Sequence, residues 1–528
     1  MIRKLCFFLS SLLVIVFNAA QGQAAALTSE ETSARCTALA TADFSQTLDA
    51  PTQITGAKLI PAEGDVPEYC QLDGYVSPNV GIELRLPTDR WNGKFLEMGC
   101  GGLCGEFSTY TLKAGHDCDH GLRKGYACLV SNQGHVSTEV DGKWAYNNLQ
   151  AQVDYAFRAA HVAALAGKAI TERYYAQAPR KAYFWGCSGG GREGMVEAQQ
   201  FPSDFDGIAV VAPGFHLADV MMSLLWNWRA ATAGDKALFS AADVALLHEA
   251  AVAQCDGDDG IKDGVVGNPQ GCQFDPATLV CKAGAAARCL SPAQAEAAKK
   301  IYSGVMNSKG ESLFPGMVPG EESSISTSAE LSSLPRDFFQ YMGFNPAPGP
   351  GWKPTEFDFD RDPKRLAFAR SLLSDSNPDL RKFKEAGGKL MLAHGWADEP
   401  LSPLATLDYY ETVQKTMGGE SKTRDFLRLF MVPGMAHCYG GDGAYAIDYL
   451  SYLEDWVEGG RAPDVMIGAH VKKEKYSGYS YKLPANPADV TFTRPVYPYP
   501  LRARYKGKGD PNSASSFEPV GYEVRGSK

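Results

Sequence analysis

The chain reads as an α/β protein: a largely parallel sheet whose last strands are separated from the rest by a long, mostly helical insertion. Three observations predict this. Short apolar runs alternate with helical patterns between Lys94 and Pro213, the order that builds a parallel sheet. The alternation stops at about Phe215 and resumes only after Ala386. One strand-to-helix junction is Gly186-Cys187-Ser188-Gly189-Gly190, set between the apolar run Ala182-Tyr183-Phe184-Trp185 and a helical pattern from Arg192 to Ala198.

At 528 residues the chain can bury a sizeable core. Hydrophobic residues at 45% and charged residues at 21% are those of an ordinary globular protein. A net charge of −10, with no basic cluster, argues against nucleic acid or an anionic membrane as partner. Arg3 and Lys4 precede an apolar run from Leu5 to Phe17, and small residues follow at Ala19, Ala20 and Ala24 to Ala26. This is the pattern of a secretory signal over residues 1–26, cleaved between Ala20 and Ala26. No later segment reaches the length of a membrane span. The expected mature protein is secreted or periplasmic. Of 13 cysteines, Cys6 lies in the signal, and the even number left in an exported chain suggests disulfides. No Cys/His spacing suits zinc.

Residues 27–214 form the first part of the predicted core. Cys70 to Val76 and Ile82 to Leu86 alternate as strands of a β region, and Lys94 to Met98 is a strand ending in Gly99-Cys100-Gly101-Gly102-Leu103-Cys104. Tyr126 to Val130 is a buried strand, and a long helix covers about Gln150 to Ala176. Gly207 to Ala212 is the strand after the Ser188 helix. Residues 215–386 read as an inserted lid of helices, such as Ala241 to Gln254 and Pro292 to Val305, without strand signals. Residues 387–528 complete the core with strands Lys389 to Ala393 and Phe426 to Val432 and a helix from Ala444 to Gly459. The Tyr/Pro-rich tail from Arg461 is expected to wrap it.

Gly-x-Ser-x-Gly between strand and helix is the pattern of a nucleophile elbow, in which a serine at the tip of a strained turn exposes its oxygen. Alone it arises by chance in a chain with 54 glycines, so the partners matter. Asp398 follows one later strand and His437 follows the next, giving the order Ser, Asp, His of an α/β-hydrolase at the strand ends where such sheets gather catalytic groups. His437 would accept the serine proton and Asp398 would fix its tautomer. Asp398 could instead be a turn former before Pro400, with Glu399 the rival acid; His394 is the competing base, but it precedes the loop. His135 reads as structural, bracing the oxyanion loop. Oxyanion donors are expected at Gly102 and Gly189. Cys187 and Cys438 adjoin the proposed nucleophile and base, close enough for a disulfide if Ser188 and His437 meet.

The second constellation is Cys255-Asp256-Gly257-Asp258-Asp259-Gly260-Ile261-Lys262-Asp263-Gly264-Val265. Its crowded carboxylates would repel unless hydrated or bound to a hard cation, and oxygen-rich, thiol-free donors favour Ca²⁺. It is not an EF-hand, because Gly260 stands where that pattern wants an acid. Cys255 and Cys272 are placed to clip its ends.

With Cys187-Ser188, Asp398 and His437-Cys438 together, the chain resembles the tannase/feruloyl esterase family, which includes bacterial mono(2-hydroxyethyl) terephthalate hydrolases. The resemblance covers nearly the whole mature chain and includes Phe205-Asp206-Gly207 and Gly395-Trp396-Ala397-Asp398. It implies an α/β-hydrolase core, a lid over the site, and hydrolysis of esters of aromatic acids. It also implies structural calcium on Asp256, Asp259 and Asp263 with the carbonyls of Ile261 and Val265. The implied disulfides are Cys36–Cys70, Cys187–Cys438, Cys255–Cys272 and Cys281–Cys289. Two more are expected among Cys100, Cys104, Cys118 and Cys128, without assignment, and the tail lacks a cysteine pair that some members carry. The acyl group is not readable. Phe338, Phe339, Tyr341, Trp396 and Leu401 are candidate pocket residues, and Arg336 is a candidate partner for a substrate carboxylate. Two other readings are a non-catalytic calcium-stabilised extracellular binding module, and a peptidase or acyltransferase using the same triad. The expected partner is a small aromatic ester; oligomeric state is not readable.

Overall fold

A computed structural model describes residues 28–107, 118–282, 288–373, 375–472, 483–484 and 486–522. The secretory signal expected over residues 1–26 lies outside them. Nine strands form one sheet: β1 (Thr52–Ile60), β2 (Tyr69–Val76), β3 (Val80–Pro87), β4 (Lys94–Met98), β5 (Ala127–Ser131), β6 (Lys181–Ser188), β7 (Gly207–Pro213), β8 (Lys389–Gly395) and β9 (Leu427–Val432). Their spatial order is β1-β2-β3-β5-β4-β6-β7-β8-β9. The edge from β1 through β3 to β5 is antiparallel, and every pair from β5 to β9 is parallel. The parallel strands are buried almost throughout, which is why they read as continuous apolar runs rather than alternating ones. Strand β1 is not singled out by its sequence: a bulge between Ile54 and Gly56 breaks its period of two.

The helical pattern after β5 runs as Leu149–Val153, a π-helical turn Asp154–Arg158, and Ala159–Tyr175. The final core helix starts at Tyr449, not Ala444. Ala446 instead exchanges both backbone hydrogen bonds with Ala469, and the Asp448 side chain caps the helix by accepting from Ser451 N–H at 3.1 Å.

The insertion between β7 and β8 contains helices Leu217–Ala230, Ala241–Cys255, Pro292–Ser303, Ser333–Tyr341 and Ala367–Leu373. It is not free of strands: Thr232–Ala233 pairs with Lys236–Ala237, and Val305–Met306 with Ser312–Phe314. Two- and three-residue ribbons leave no periodicity to read. The tail folds into two hairpins, Met466–Val471 with Val490–Val496 and Leu501–Tyr505 with Phe517–Gly521. It packs on the last strand, where Tyr499 N–H donates to Leu429 at 2.7 Å.

Six disulfides staple the chain: Cys36–Cys70, Cys100–Cys104, Cys118–Cys128, Cys187–Cys438, Cys255–Cys272 and Cys281–Cys289. Cys187–Cys438 spans 251 residues and fastens the end of β6 to the loop after β9.

Candidate active site

Strand β6 ends at Ser188, whose φ of 59° and ψ of −119° are a strained combination for a residue with a side chain. The turn is possible only because its neighbours are small. A Cβ on Gly186 would overlap the carbonyl of Gly190, and one on Gly189 would lie 2.7 Å from Gly102 O and 3.0 Å from Gly102 N. The helix Gly189–Gln200 therefore starts directly against the loop after β4.

The loops after β8 and β9 complete the row. Trp396 N–H donates to Val432 at 2.9 Å and Ala397 N–H to Met435 at 3.0 Å, so the two loops are hydrogen-bonded to each other. His437 Nε2 lies 2.9 Å from Ser188 Oγ, and its Nδ1 lies 2.9 and 3.0 Å from the two oxygens of Asp398. Asp398 also accepts from Leu401 N–H at 3.0 Å. Burial opposes its negative charge, but His437 and His394 outweigh it and hold the carboxyl down to about 2. Burial likewise opposes a charged His437, and the charge and hydrogen bond of Asp398 overcome it, raising the imidazole above the usual histidine range.

Glu399 is not the ring's partner: its carboxylate accepts the backbone N–H of His437 at 3.3 Å. His394 stays off the serine. Its Nδ1 accepts from the Thr406 hydroxyl at 2.7 Å, and its Nε2–H points at Leu401 O (3.1 Å) and Asp398 (3.2 Å). The acid thus sits between two imidazoles, a feature the sequence reading misses.

The loop after β4 is closed on itself by Cys100–Cys104. Leu103 N–H is taken up by Glu139 O at 2.6 Å, while Gly102 and Gly189 both line the cleft with Ser188. Three buried side chains hold this loop. The Tyr155 hydroxyl donates to Gly102 O at 3.1 Å. Arg192 anchors Tyr155 by donating to the carbonyls of Tyr155 (2.5 Å) and Ala156 (2.8 Å). Glu193 accepts the Cys100 N–H, and burial, only partly offset by Arg192 and that bond, pushes its carboxyl up to about 8. His135 braces the same loop from outside, with Nε2 3.0 Å from Leu103 O. Sequence reasoning passes over Tyr155, Arg192 and Glu193. The one available signal was two charged residues immediately after the elbow, on a helix buried along most of its length.

A cleft of about 270 Å³ opens at Ser188 and His437. Its insertion wall is Leu217, Val220, Met221, Leu224 and Leu334, and its core wall includes Gly102, Glu139, Gly189 and Leu401. Of the candidate pocket residues only Leu401 lines it. Phe338 and Phe339 are fully buried, where Phe339 packs on Phe344, Trp352 and Phe357 as core of the insertion. Tyr341 stacks edge-on against Tyr146. Trp396 is buried and donates to the Tyr522 hydroxyl at 2.9 Å. Arg336 does not face the cleft; it pairs with its neighbour Asp337 at 3.0 Å. The physical reason is common to the four aromatics: large aromatics gain most from complete burial, leaving aliphatic side chains at the opening.

The Asp256–Val265 turn lies in the insertion, with its ends joined by Cys255–Cys272. Asp256 accepts from the N–H groups of Asp263 and Gly264, each at 3.1 Å; Asp259 accepts from Ile261 (3.2 Å) and Asp263 from Val265 (3.3 Å). Arg494 of the tail pairs with Asp263 at 2.6 Å. Burial, with Asp263 and Asp256 adding to it, pushes Asp259 up to about 7. Buried like charges on oxygen donors suit a hard cation. The three carboxylates are turned to the loop's own N–H groups. Among the described residues, the group of three acid and histidine side chains whose ligand atoms all lie within 4.8 Å of one another is instead His161, Glu197 and Asp204, where His161 already pairs with Asp204 at 2.5 Å.

The family described as tannase and feruloyl esterase matches residues 65–345 and 350–520. The mono(2-hydroxyethyl) terephthalate hydrolase of Piscinibacter sakaiensis is 34% identical, over 86% of this chain and 85% of that protein. A probable feruloyl esterase of Arthroderma benhamiae is 35% identical over 83% and 82%. Among solved structures, feruloyl esterase B from Aspergillus oryzae aligns with a TM-score of 0.80 at 28% identity, covering 93% of this chain and all of that one. Tannin acyl hydrolase from Aspergillus niger, at 20% identity and a TM-score of 0.75, shares the fold. The chain thus belongs to the tannase and feruloyl esterase family and is a carboxylic ester hydrolase on an α/β-hydrolase fold.

Proposed function

We propose that the protein is an exported serine esterase that hydrolyses esters of aromatic acids through an acyl-Ser188 intermediate. The observation that carries this reading is the 2.9 Å contact between His437 Nε2 and Ser188 Oγ, locked by the Cys187–Cys438 bond on either side. His437 takes the hydroxyl proton as Ser188 attacks the ester carbonyl, and Asp398 stabilises the imidazolium that forms. The N–H groups of Gly102 and Gly189 receive the developing oxyanion. Collapse expels the alcohol, protonated by His437, and water repeats the sequence on the acyl-enzyme to release the acid. An aromatic acyl group is supported by the predominantly apolar cleft and by relatives named for feruloyl esters. A terephthaloyl monoester is the alternative suggested by the Piscinibacter relative. A binding module without chemistry would have no need of an aligned base and acid.

Export is supported by six disulfides, which persist in oxidising compartments. No helix among the described residues is long and apolar enough to cross a membrane. The side chains of Asp256, Asp259 and Asp263 with the carbonyls of Ile261 and Val265 would hold a structural Ca²⁺, which would neutralise the loop and take no part in the chemistry.

Ser188→Ala tests the mechanism. The expected result is a loss of kcat/KM on methyl ferulate or methyl gallate of at least about 10⁴-fold, with an unchanged circular dichroism spectrum. Retention of most activity would exclude an acyl-Ser188 intermediate.

A further inference from the structure

We propose that His394 is a positioning residue for the reaction: together with the backbone of Leu401 it fixes the rotation of the Asp398 carboxylate, so that the acid is aligned before the serine proton moves to His437. This rests on the esterase reading above and adds to it a side chain that acts only through the acid.

The terminal torsion of an aspartate is broad, so its own rotamer preference does not set the direction of the two oxygens. His437 does not set it either. Its Nδ1 lies 3.0 Å from Asp398 Oδ1 and 2.9 Å from Oδ2, nearly equidistant, and favours neither. Two further donors hold one oxygen each. Leu401 N–H reaches Oδ1 at 3.0 Å, and His394 Nε2 reaches Oδ2 at 3.2 Å. A carboxylate gripped at both oxygens from different directions cannot turn without breaking a charge-assisted bond.

His394 is itself fixed at both nitrogens. It stands next to the last residue of β8 and is 1% exposed. Its Nε2 faces two acceptors, Asp398 Oδ2 and the Leu401 carbonyl at 3.1 Å, so that nitrogen must carry a hydrogen. Its Nδ1 is taken by the hydroxyl of Thr406, 2.7 Å away on the helix Pro403–Met417. Neither nitrogen is left to act as a base. Leu401 donates to the acid and accepts from His394, which closes a ring of three residues, and it also lines the cleft. The electrostatics agree with the geometry. Burial is the largest influence on Asp398 and opposes its charge, and the charge of His437 and the hydrogen bond from His394 are the next two, both favouring the anion.

The test measures kcat, KM and Tm of the intact protein and of His394→Leu, His394→Gln and His394→Asn on methyl ferulate and methyl gallate. Glutamine carries its amide nitrogen near the position of Nε2, whereas asparagine reaches only that of Nδ1. The expected result is a kcat about 10- to 100-fold lower in His394→Leu and His394→Asn with KM within about twofold, and a kcat within about threefold of the natural protein in His394→Gln. Should His394→Leu fail to fold, the contrast between glutamine and asparagine still decides. Equal kcat in those two variants would overturn the proposal, as would a His394→Leu protein whose Tm falls while kcat is unchanged, or a loss confined to KM. Failure of the natural protein to hydrolyse any ester of a wider aryl panel would instead overturn the esterase reading itself, so the two failures are distinguishable.

Discussion

On the core side of the Ser188 cleft, polar atoms are held redundantly; on the insertion side, the wall is aliphatic. Asp398 alone is bound by His437, His394 and Leu401 N–H, and the loop after β4 is pinned by Tyr155, Glu193, His135 and a disulfide. Across the gap, Leu217, Val220, Met221, Leu224 and Leu334 offer shape. Chemistry needs reacting groups fixed to a fraction of an ångström. Fitting an acyl group needs only a surface of suitable volume, where a methylene more or less is worth about 1–3 kcal/mol. Changes to the core wall should therefore appear in kcat, and changes to the insertion in KM or stability.

The largest effect that could break this division is expected at Asp398. Asp398→Asn should lower kcat/KM by about 10³–10⁴-fold, because an amide can hold His437 in the wrong tautomer and cannot stabilise its cation. The pH profile adds a second readout. His437 acts as base only when neutral, so activity rises as pH passes its pKa, which Asp398 holds above the usual histidine range against the opposing effect of burial. Without that carboxylate, the acid limb of kcat/KM should move to lower pH. A loss smaller than tenfold would mean that Glu399 or His394 can replace the acid.

A middle-sized effect belongs to Tyr155. Tyr155→Phe removes one hydroxyl that touches Gly102 O at 3.1 Å and leaves the ring on Arg192. The expected result is a kcat lower by about tenfold with KM nearly unchanged, less than the cost of deleting an oxyanion donor outright. A change confined to KM or to thermal stability would show Tyr155 to be packing alone.

The sequence exposes the core side far better than the insertion. Ser188, Asp398 and His437 each sit at the end of an apolar strand, and Cys187 and Cys438 mark two of them, so local patterns reach three residues that the fold brings into hydrogen-bond contact. The supports are a different matter. Tyr155 lies in a π-helical turn and Arg192 and Glu193 are buried on the elbow helix, so their partners come from tertiary packing that no local period encodes. In the insertion, Phe338 and Phe339 draw attention because they are large, yet size is what places them inside. The cleft wall comes mostly from one stripe of helix Leu217–Ala230, with Leu334 added from helix Ser333–Tyr341, and periodicity identifies an apolar face without saying what it faces. The pairings Cys100–Cys104 and Cys118–Cys128 were open for the same reason: spacing alone permits the alternatives.

The smallest effect on chemistry, and the sharpest test of the division, is removal of calcium from the insertion. The proposed ligands sit in a turn already clipped by Cys255–Cys272 and tied to the tail by Arg494, so the turn should loosen rather than unfold. Gly264, Val265 and Val266 face Trp396, Ala397 and Glu399 across a cavity of about 360 Å³, so part of the turn is separated from the acid loop by open space. Chelation of the intact protein should therefore lower Tm by about 3–8 °C, reversed by CaCl₂ and not by MgCl₂, while kcat at 25 °C stays within about twofold. An unchanged Tm would remove calcium from the account. A kcat that falls with the metal as far as it falls in Asp398→Asn would show that the insertion helps hold the base and acid in line, through the packing of Val265 on Gly434 of the base loop.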